Sequence, residues 1–192
     1  DFLSQGKYLF SKGSLLALNG VFGLVCFFLI RLYLKENNPE YLGFYDIGNL
    51  FLVSYFGIIF TSLASDYFPT LTNKFAQKED VKSYVNIQIQ TSILISTPLI
   101  LIMYFGFDFI IPFLTSNTFL PLREILFFGL ISTLCKTINY PLGYIVLAID
   151  DTKNYFYQNI IGDVLNVFLI LIFFHFFGLI GIGLAMFIQY FG

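Results

Sequence analysis

Six long stretches of apolar residues, separated by short polar segments, constrain the fold of this chain more than any other feature of its sequence. A helix that crosses a bilayer needs about 20 consecutive, mostly apolar residues. The predicted spans cover residues 14–34, 45–68, 84–114, 122–149, 155–177 and 179–192, and the last of them is short. Because these stretches are long and lack a strict two-residue alternation, they favour helices over barrel strands. The sequence therefore predicts an all-α fold, a polytopic transmembrane helical bundle.

The charge content indicates an integral membrane protein rather than a soluble domain with one anchor. Only 11% of the 192 residues are charged, whereas soluble domains carry about 25%, and the deficit extends along the whole chain. The net charge of −2, with no basic patch, argues against a nucleic-acid partner. Cys26 and Cys135 lie inside apolar stretches, and their spacing predicts neither a disulfide nor a metal site. Since no catalytic or cofactor motif is present, we expect a protein that is not an enzyme and uses no cofactor.

Prolines and small residues shape the predicted helices. Pro98 and Pro141 lie inside spans and should kink them, and the third span is expected to be broken near Pro98 and Gly106. The sequence contains no GxxxG motif. Close packing between helices must therefore come from scattered small residues such as Gly181 and Ala185.

The positions of lysine and arginine predict how the spans are oriented. Six positive residues lie in the N-terminal segment and in the loops after the second and fourth spans: Lys7, Lys12, Lys74, Lys78, Lys82 and Lys153. Three lie on the opposite side: Arg31, Lys35 and Arg123. Because positive residues favour the cytoplasmic side, the sequence places the N-terminal segment and those two loops in the cytoplasm. Arg31, near the end of the first span, is expected to reach the outer lipid headgroups.

Polar residues recur at helical spacing on three of the predicted spans. The fourth span carries Ser132, Lys136, Asn139 and Gly143, the fifth carries Asn159, Asp163 and Asn166, and the third carries Asn86, Gln90 and Thr97. Residues three or four apart lie on one face of a helix. Since polar groups that face lipid are costly, the three stripes are expected to face a common interior or an aqueous cavity. For the amides, plain hydrogen bonding between helices is an equal alternative.

Lys136 is the most unusual of these residues because it lies near the middle of its span. It is about 13 residues, or roughly 20 Å of helix, from either end, which is too far for a lysine stem to reach an interface. Asp163 lies at a different depth, and side chains lean toward the N-terminus of their own helix. A tight pair between Lys136 and Asp163 is therefore disfavoured, and Lys136 is expected to face a hydrated cavity that admits an anion. Asp163 is then a candidate site for a proton or a cation.

Four segments of the chain resemble a known family. They are "LGFYDIGNLF", "DYFPTLTNKF", "CKTINYPLGYIVLAIDDTK" and "FFGLIGIGLAMFIQYF". Together they are similar to the second half of a Wzx-type O-antigen translocase, which belongs to the superfamily of multidrug, oligosaccharidyl-lipid and polysaccharide exporters. The shared features are an aromatic residue and a proline that close a helix before a basic loop, a lysine helix with the pattern K-x(4)-P-x-G-[YF], and a glycine-rich turn. The resemblance extends over nearly the whole chain.

The resemblance implies a lobe of a larger transporter and a substrate. Such proteins have two six-helix lobes around a central cavity, and residues 1–192 would form most of the second lobe of a longer protein. The family moves a polyprenyl-diphosphate-linked oligosaccharide across the bacterial cytoplasmic (inner) membrane by alternating access. Lys136 corresponds to the family's helix lysine, Asp163 falls where an acidic residue is common, and Tyr140 stands where the family often has tryptophan. The expected partners are this lipid-linked oligosaccharide, membrane lipids and the polysaccharide polymerase machinery.

The sequence also gives candidate residues for the cavity and leaves two rival functions open. The cavity candidates are Lys136, Asn139, Ser132, Tyr140, Asn166 and Gln90, and the candidate for ion coupling is Asp163. One rival function is a cation-coupled drug antiporter of the same superfamily, in which acidic residues matter more than Lys136. The other is a non-transport membrane scaffold in a polysaccharide assembly complex.

The orientation gives a first prediction. In a protein without Cys26 and Cys135, the variants Lys78→Cys and Asn38→Cys should react differently with a membrane-impermeant thiol reagent. Because Lys78 lies in a predicted cytoplasmic loop, position 78 should label only after the membrane is opened, whereas position 38 should label in intact cells. Labelling of position 78 in intact cells would reverse the orientation.

Overall fold

The computed structural model of the chain describes residues 2–191, which form helices and no strand. The α-helices are α1 (Phe2–Asn37), α2 (Pro39–Asn49), α3 (Phe56–Ala76), α4 (Lys82–Leu114), α5 (Arg123–Ala148), α6 (Thr152–Phe177) and α7 (Leu179–Phe191). A π-helical segment (Leu50–Tyr55) joins α2 to α3, and a 3-10 helix (Asn117–Leu122) precedes α5. In this part of the chain five continuous helical segments are long and apolar enough to cross a membrane, and α7 is shorter. The predicted all-α, multi-pass helical bundle is therefore confirmed.

Local signals in the sequence set where these helices begin and end. Asn38 caps α2, since its side chain accepts a hydrogen bond of 3.0 Å from the backbone N–H of Glu40, and Pro39 occupies the first helical position. Asp151 caps α6 in the same way, through the backbone N–H of Asn154 at 3.2 Å. Gly178 ends α6 with a φ of +61°, a conformation that costs glycine little. Short turns of this kind make consecutive helices run in opposite directions.

The lysine-bearing segments lie together at one end of the bundle. Lys12, near the start of α1, forms an ion pair with Asp150 in the turn between α5 and α6. The hydrogen bond from Lys12 holds the pKa of Asp150 below its usual range. The loop between α3 and α4 lies at this end as well, because Leu71 and Val85 belong to the same buried cluster as Ala148. The three segments that the sequence assigns to one side of the membrane thus share one end of the fold.

The opposite end is formed by the remaining connections. The junction between α1 and α2, the 3-10 helix and the turn between α6 and α7 meet there around one cavity. The main core extends from this end along α5, α6 and α7, with Ile125, Leu126, Ile170 and Ile182 at 1% exposure or less. The five long helical segments therefore alternate between the two ends, as an up-and-down membrane bundle requires.

Helix α7 approaches its neighbours closely through glycines. A Cβ atom on Gly183 would lie 2.5 Å from the carbonyl oxygen of Ile125 in α5, and one on Gly181 would collide with the backbone of Phe173 in α6. Ala185, one turn after Gly181, is fully buried. Small residues at an interface let two helix backbones approach, which is how helices associate in lipid. The expectation that Gly181 and Ala185 provide close packing is confirmed, and Gly183 adds to it.

The predicted break in the third span is wrong. Helix α4 is continuous from Lys82 to Leu114 and passes through Pro98, Gly106 and Pro112. Proline removes one backbone hydrogen bond, but a full break would leave several backbone groups without partners in lipid. Continuing the helix is the less costly arrangement, so a single proline does not divide it.

The glycine contact generates a prediction about stability. Gly183→Ala should destabilise the folded chain by roughly 1–3 kcal/mol, because the added methyl group meets backbone that cannot rotate away. The matched control is Gly20→Ala in α1, where nothing lies within 4 Å of the added Cβ. That change should stabilise the helix by up to about 1 kcal/mol. Thermal unfolding in detergent, followed by circular dichroism, measures both, and equal melting temperatures for the two variants would contradict the packing argument.

Candidate functional site

Lys136 lies on α5 between two aromatic rings from different helices. Its Nζ atom is 5.8 Å from the centre of the Phe60 ring in α3 and 5.6 Å from the centre of the Tyr190 ring in α7. The side chain is half-buried. Cation–π contacts of this kind contribute about 0.5–2 kcal/mol, depending on how far the ammonium is desolvated. The rings therefore hold the ammonium without neutralising its charge.

Two hydrogen bonds fix the rings beside Lys136. Asn139 donates to the carbonyl oxygen of Tyr190 at 2.9 Å, which joins α5 to α7. Tyr140 donates its hydroxyl proton to the carbonyl oxygen of Phe60, which joins α5 to α3. The Phe60 and Tyr140 rings also pack, with their centres 5.1 Å apart. The structure thus brings together three of the predicted residues, Lys136, Asn139 and Tyr140, and adds Phe60 and Tyr190, which the sequence analysis missed.

Ser132 shares the predicted stripe but not the site. It is only 4% exposed, and its hydroxyl donates a hydrogen bond of 2.7 Å to the carbonyl oxygen of Gly129 in its own helix. Thr133 makes a similar bond to the same carbonyl. The structure shows the hydroxyl of Ser132 bonded to its own helix, and its assignment to a ligand cavity stays a prediction, because helical spacing does not tell whether a small hydroxyl serves a ligand or its own backbone.

Asp163 lies against a different helix from the one that carries Lys136. Its carboxylate faces α1, where a Cβ on Gly23 would be 3.3 Å from Oδ2. In the part of the chain that the structure describes, neither Asp163 nor Lys136 belongs to an ion pair. The expectation that the two residues do not pair is confirmed. The reason is positional, since α6 packs mainly on α1 and α7 rather than on α5.

The interface between α1 and α6 contains amide oxygens without partners. The Oδ1 atoms of Asn19 and Asn166 are buried and accept no hydrogen bond within the described residues. Nearby, Gln189 of α7 donates to the carbonyl oxygen of Gly162 at 3.2 Å. Asn166 therefore lies with Asp163 on the α1 side of α6, apart from the residues around Lys136. Asn159 bonds only within its own helix, to Tyr155 at 2.8 Å.

On α4 the predicted polar stripe is not the buried face of the helix, and the common interior of the three stripes stays a prediction. Asn86 and Gln90 are exposed, and Gln90 makes no hydrogen bond to the residues around Lys136 in the described structure. The buried face of α4 carries Ser92 and Ser96 instead, each fully buried and with a hydroxyl that has no partner. Gln90 therefore does not join the site. The four-residue spacing of the serines, in register with the buried Ile100, is the signal that the sequence analysis overlooked.

Arg31 has a protein partner rather than a lipid headgroup. Its guanidinium lies 2.9 Å from Oδ2 of Asp46 in α2, with both side chains partly exposed. The Nε atom of Arg31 and the Oδ1 atom of Asp46 are buried without hydrogen-bond partners among the residues described. The expectation for Arg31 was wrong because α2 folds back beside the end of α1. Within residues 2–191, no group of three or more His, Cys, Asp or Glu could hold a metal ion.

Comparison with known proteins identifies a family. Residues 14–124, more than half of the chain, match a family described as polysaccharide biosynthesis protein. A search of curated proteins and a search of solved structures each found no significant match. The matched region extends from α1 to the beginning of α5.

The separation of the charged groups can be measured with double-mutant cycles. Lys136→Ala and Asp163→Ala should have additive effects on the free energy of unfolding, with a coupling below about 0.5 kcal/mol, because they share no contact. The matched positive control is the pair Arg31→Ala and Asp46→Ala, whose side chains touch and should couple by more than about 0.5 kcal/mol. A coupling between Lys136 and Asp163 as large as that of the control pair would refute the geometry.

Proposed function

The chain belongs to the polysaccharide biosynthesis protein family, and we propose that it forms part of a flippase for lipid-linked oligosaccharides. The substrate is a polyprenyl-diphosphate-linked oligosaccharide, such as an O-antigen repeat unit, and the membrane is the bacterial inner membrane. The transport mechanism is alternating access between two lobes. The observation that carries the proposal is the ammonium of Lys136, held between aromatic rings of the bundle without a carboxylate partner among residues 2–191.

The charge of Lys136 supports an anionic ligand. An ammonium inside a membrane protein is costly unless it is hydrated or paired, and such residues usually mark a pathway. Aromatic rings stabilise the cation only in part, so an anion that enters the bundle gains a Coulomb interaction that water would otherwise screen. A diphosphate supplies that anion, while the polyprenyl tail can remain in the bilayer. In this proposal Asn139 and Tyr140 position the rings beside the ammonium, and Asn139 also offers an amide to the ligand.

Asp163 supports a coupled ion. Its carboxylate lies at the interface of α1 and α6, and Asn19 and Asn166 each contribute a buried oxygen without a partner to that interface. Oxygen atoms of carboxylates and amides are ligands for hard cations, and a carboxylate in a poorly hydrated site also takes up protons readily. We propose that occupancy of this region by a proton or a cation changes how α1 packs on α6. The same observation is what favours the second candidate function, a cation-coupled drug antiporter.

The remaining expectations belong to the same proposal. The protein binds and moves its substrate without chemical change, so it is a transporter rather than an enzyme. Its partners are the lipid-linked oligosaccharide, membrane lipids and the polymerase that takes up the exported repeat units. Gln90, on the exposed face of α4, is left without a role in the site.

Replacement of Lys136 tests the proposed function in cells that depend on this protein for surface polysaccharide. Lys136→Ala should abolish or strongly reduce surface polysaccharide while the amount of protein in the membrane stays near normal, because the diphosphate loses its counter-charge. Lys136→Arg should retain part of the activity, since the charge survives although its geometry changes. Immunoblotting for protein and glycan staining of whole cells provide the two measurements.

A double mutant separates substrate binding from a structural role. If Lys136 binds the diphosphate, Lys136→Ala/Asp163→Ala should be as inactive as Lys136→Ala alone. If the lysine instead neutralised Asp163, removal of both charges would restore folding and some export. Recovery of surface polysaccharide in the double mutant would therefore reject the binding role of Lys136. Drug efflux that depends on Asp163 but not on Lys136 would favour the antiporter.

A further inference from the structure

The cavity at the end of the bundle opposite the lysine-bearing loops is a candidate for a further site. Its volume is about 680 Å³, and it lies where the junction of α1 and α2, the 3-10 helix and the turn between α6 and α7 meet. Sites that bind small molecules usually have volumes of about 300–1,000 Å³. Glu124, in the first turn of α5, lines this cavity, and Lys136 lies twelve residues further along the same helix. That separation is about 18 Å along the helix axis, so the cavity is distinct from the surroundings of Lys136.

Aromatic rings form much of the cavity wall. Phe119 is held by an edge contact with Phe44, with ring centres 5.7 Å apart, and Tyr41 is held in the same way against Phe174 at 5.4 Å. Phe177, the last residue of α6, stacks on Phe173 with ring centres 5.9 Å apart, is 57% exposed and also lines the cavity. Each of these rings is therefore held by a packed neighbour, and Phe177 keeps more than half of its surface exposed. Such rings offer flat apolar surface to the C–H groups of a ligand.

Two exposed glutamates line the same cavity as these rings. Glu40, in the first turn of α2, and Glu124 both line the cavity, and neither forms an ion pair within residues 2–191. The cation nearest in sequence, Arg123, pairs with Asp108 at a distance of 3.4 Å. An ionised carboxylate only accepts hydrogen bonds, and it repels other anions. The ligand must therefore bring hydrogen-bond donors and carry no negative charge.

An organic ammonium ion and a neutral saccharide both satisfy these walls, and the match to the polysaccharide biosynthesis protein family favours the saccharide. A phosphate or a sugar acid would be repelled by Glu40 and Glu124. A bare divalent cation would contact only the two carboxylates. Calcium needs about six to eight oxygen ligands, so two carboxylates do not complete its coordination. A neutral saccharide has hydroxyl groups that donate to carboxylates on its edge and C–H groups that pack on aromatic rings on its face. Thr118, which also lines the cavity, adds a hydroxyl for the same ligand.

We propose that this cavity is a binding site for a neutral saccharide unit. The assignment of that saccharide to the transported glycan rests on the proposed function, but the binding itself does not. In a flippase, the site would hold sugars at one end of the bundle while the diphosphate is near Lys136. Glu40 and Glu124 bind the hydroxyl groups, and Phe177 covers one face of the sugar ring.

The absence of tryptophan from the chain allows a direct test. Phe177→Trp introduces a single tryptophan at the cavity, and its fluorescence in detergent is titrated with glucose, galactose, rhamnose and N-acetylglucosamine. At least one of these sugars should produce a saturable change in the millimolar range. The matched control is Phe176→Trp, whose side chain is 73% exposed and does not line the cavity. That variant should show no saturable change, and calorimetric titration of the unmodified chain checks that the tryptophan did not create the site.

Charge variants identify which groups bind the sugar. Glu124→Gln and Glu40→Gln, made on the Phe177→Trp chain, should each weaken binding by roughly tenfold, because each replaces a charge-assisted hydrogen bond by a neutral one. Glucuronate should bind to the Phe177→Trp chain more weakly than glucose, and the two glutamine variants should reduce that difference. Circular dichroism verifies that each variant folds.

Several results would overturn the proposal. They are the absence of a saturable change with all four sugars, an equal change in Phe176→Trp, and a saturable response to calcium chloride or to tetramethylammonium chloride alone that Glu124→Gln abolishes. The outcome is independent of the proposed function, because Lys136→Ala should leave sugar binding unchanged. Sugar binding that persists while Lys136→Ala exports glycan normally would support this cavity and reject the proposed role of Lys136 in binding the diphosphate. Loss of export in Lys136→Ala, together with no sugar binding to the Phe177→Trp chain, would reject this cavity as a sugar site and support the proposed role of Lys136.

Discussion

The close approach of α7 to α5 and α6 is the contact on which the arrangement of the polar residues depends. Gly183 lets the α7 backbone lie against Ile125 of α5, and Gly181 lets it lie against Phe173 of α6. In lipid there is little hydrophobic gain from bringing two apolar helices together, so contact between backbones supplies the attraction. Because α7 is held on both sides, its last turns bring Tyr190 to Lys136 on one side and Gln189 to Gly162 on the other.

This position of α7 also explains why the two intramembrane charges do not meet. Lys136 lies between aromatic rings of α3 and α7, whereas the carboxylate of Asp163 faces Gly23 of α1, and neither belongs to an ion pair among the described residues. A direct ion pair would satisfy both groups and make the bundle more rigid. Because the two groups are apart, the proposed function can assign a different ligand to each of them.

The sequence predicted those features that depend on short stretches of chain. The apolar lengths predicted the helices, and the alternation of the loops predicted which segments share an end, because both follow from residues that are adjacent along the chain. Helical spacing correctly placed Asn86 and Gln90 on one face of α4 but could not tell which neighbour that face would meet. The buried face instead carries Ser92 and Ser96. The ring of Phe60 beside Lys136 was beyond prediction for the same reason, since it comes from a distant helix.

Lys136 and Glu124 give α5 opposite charges at different depths. Glu124 is near the start of the helix and Lys136 is near its middle, with Glu40 of α2 on the same side as Glu124. A ligand with an anionic head and neutral sugars has the matching order of groups, whereas a compact organic cation would meet the lysine as a barrier. This order of charges is consistent with the proposed function, in which a long amphiphilic substrate lies along α5. Aromatic side chains accompany both charged regions, Phe60 and Tyr190 beside the lysine and Phe177 beside the glutamates. In the proposed function, the charge of each region determines which part of the ligand binds there, and the aromatic rings add apolar contact area in both regions.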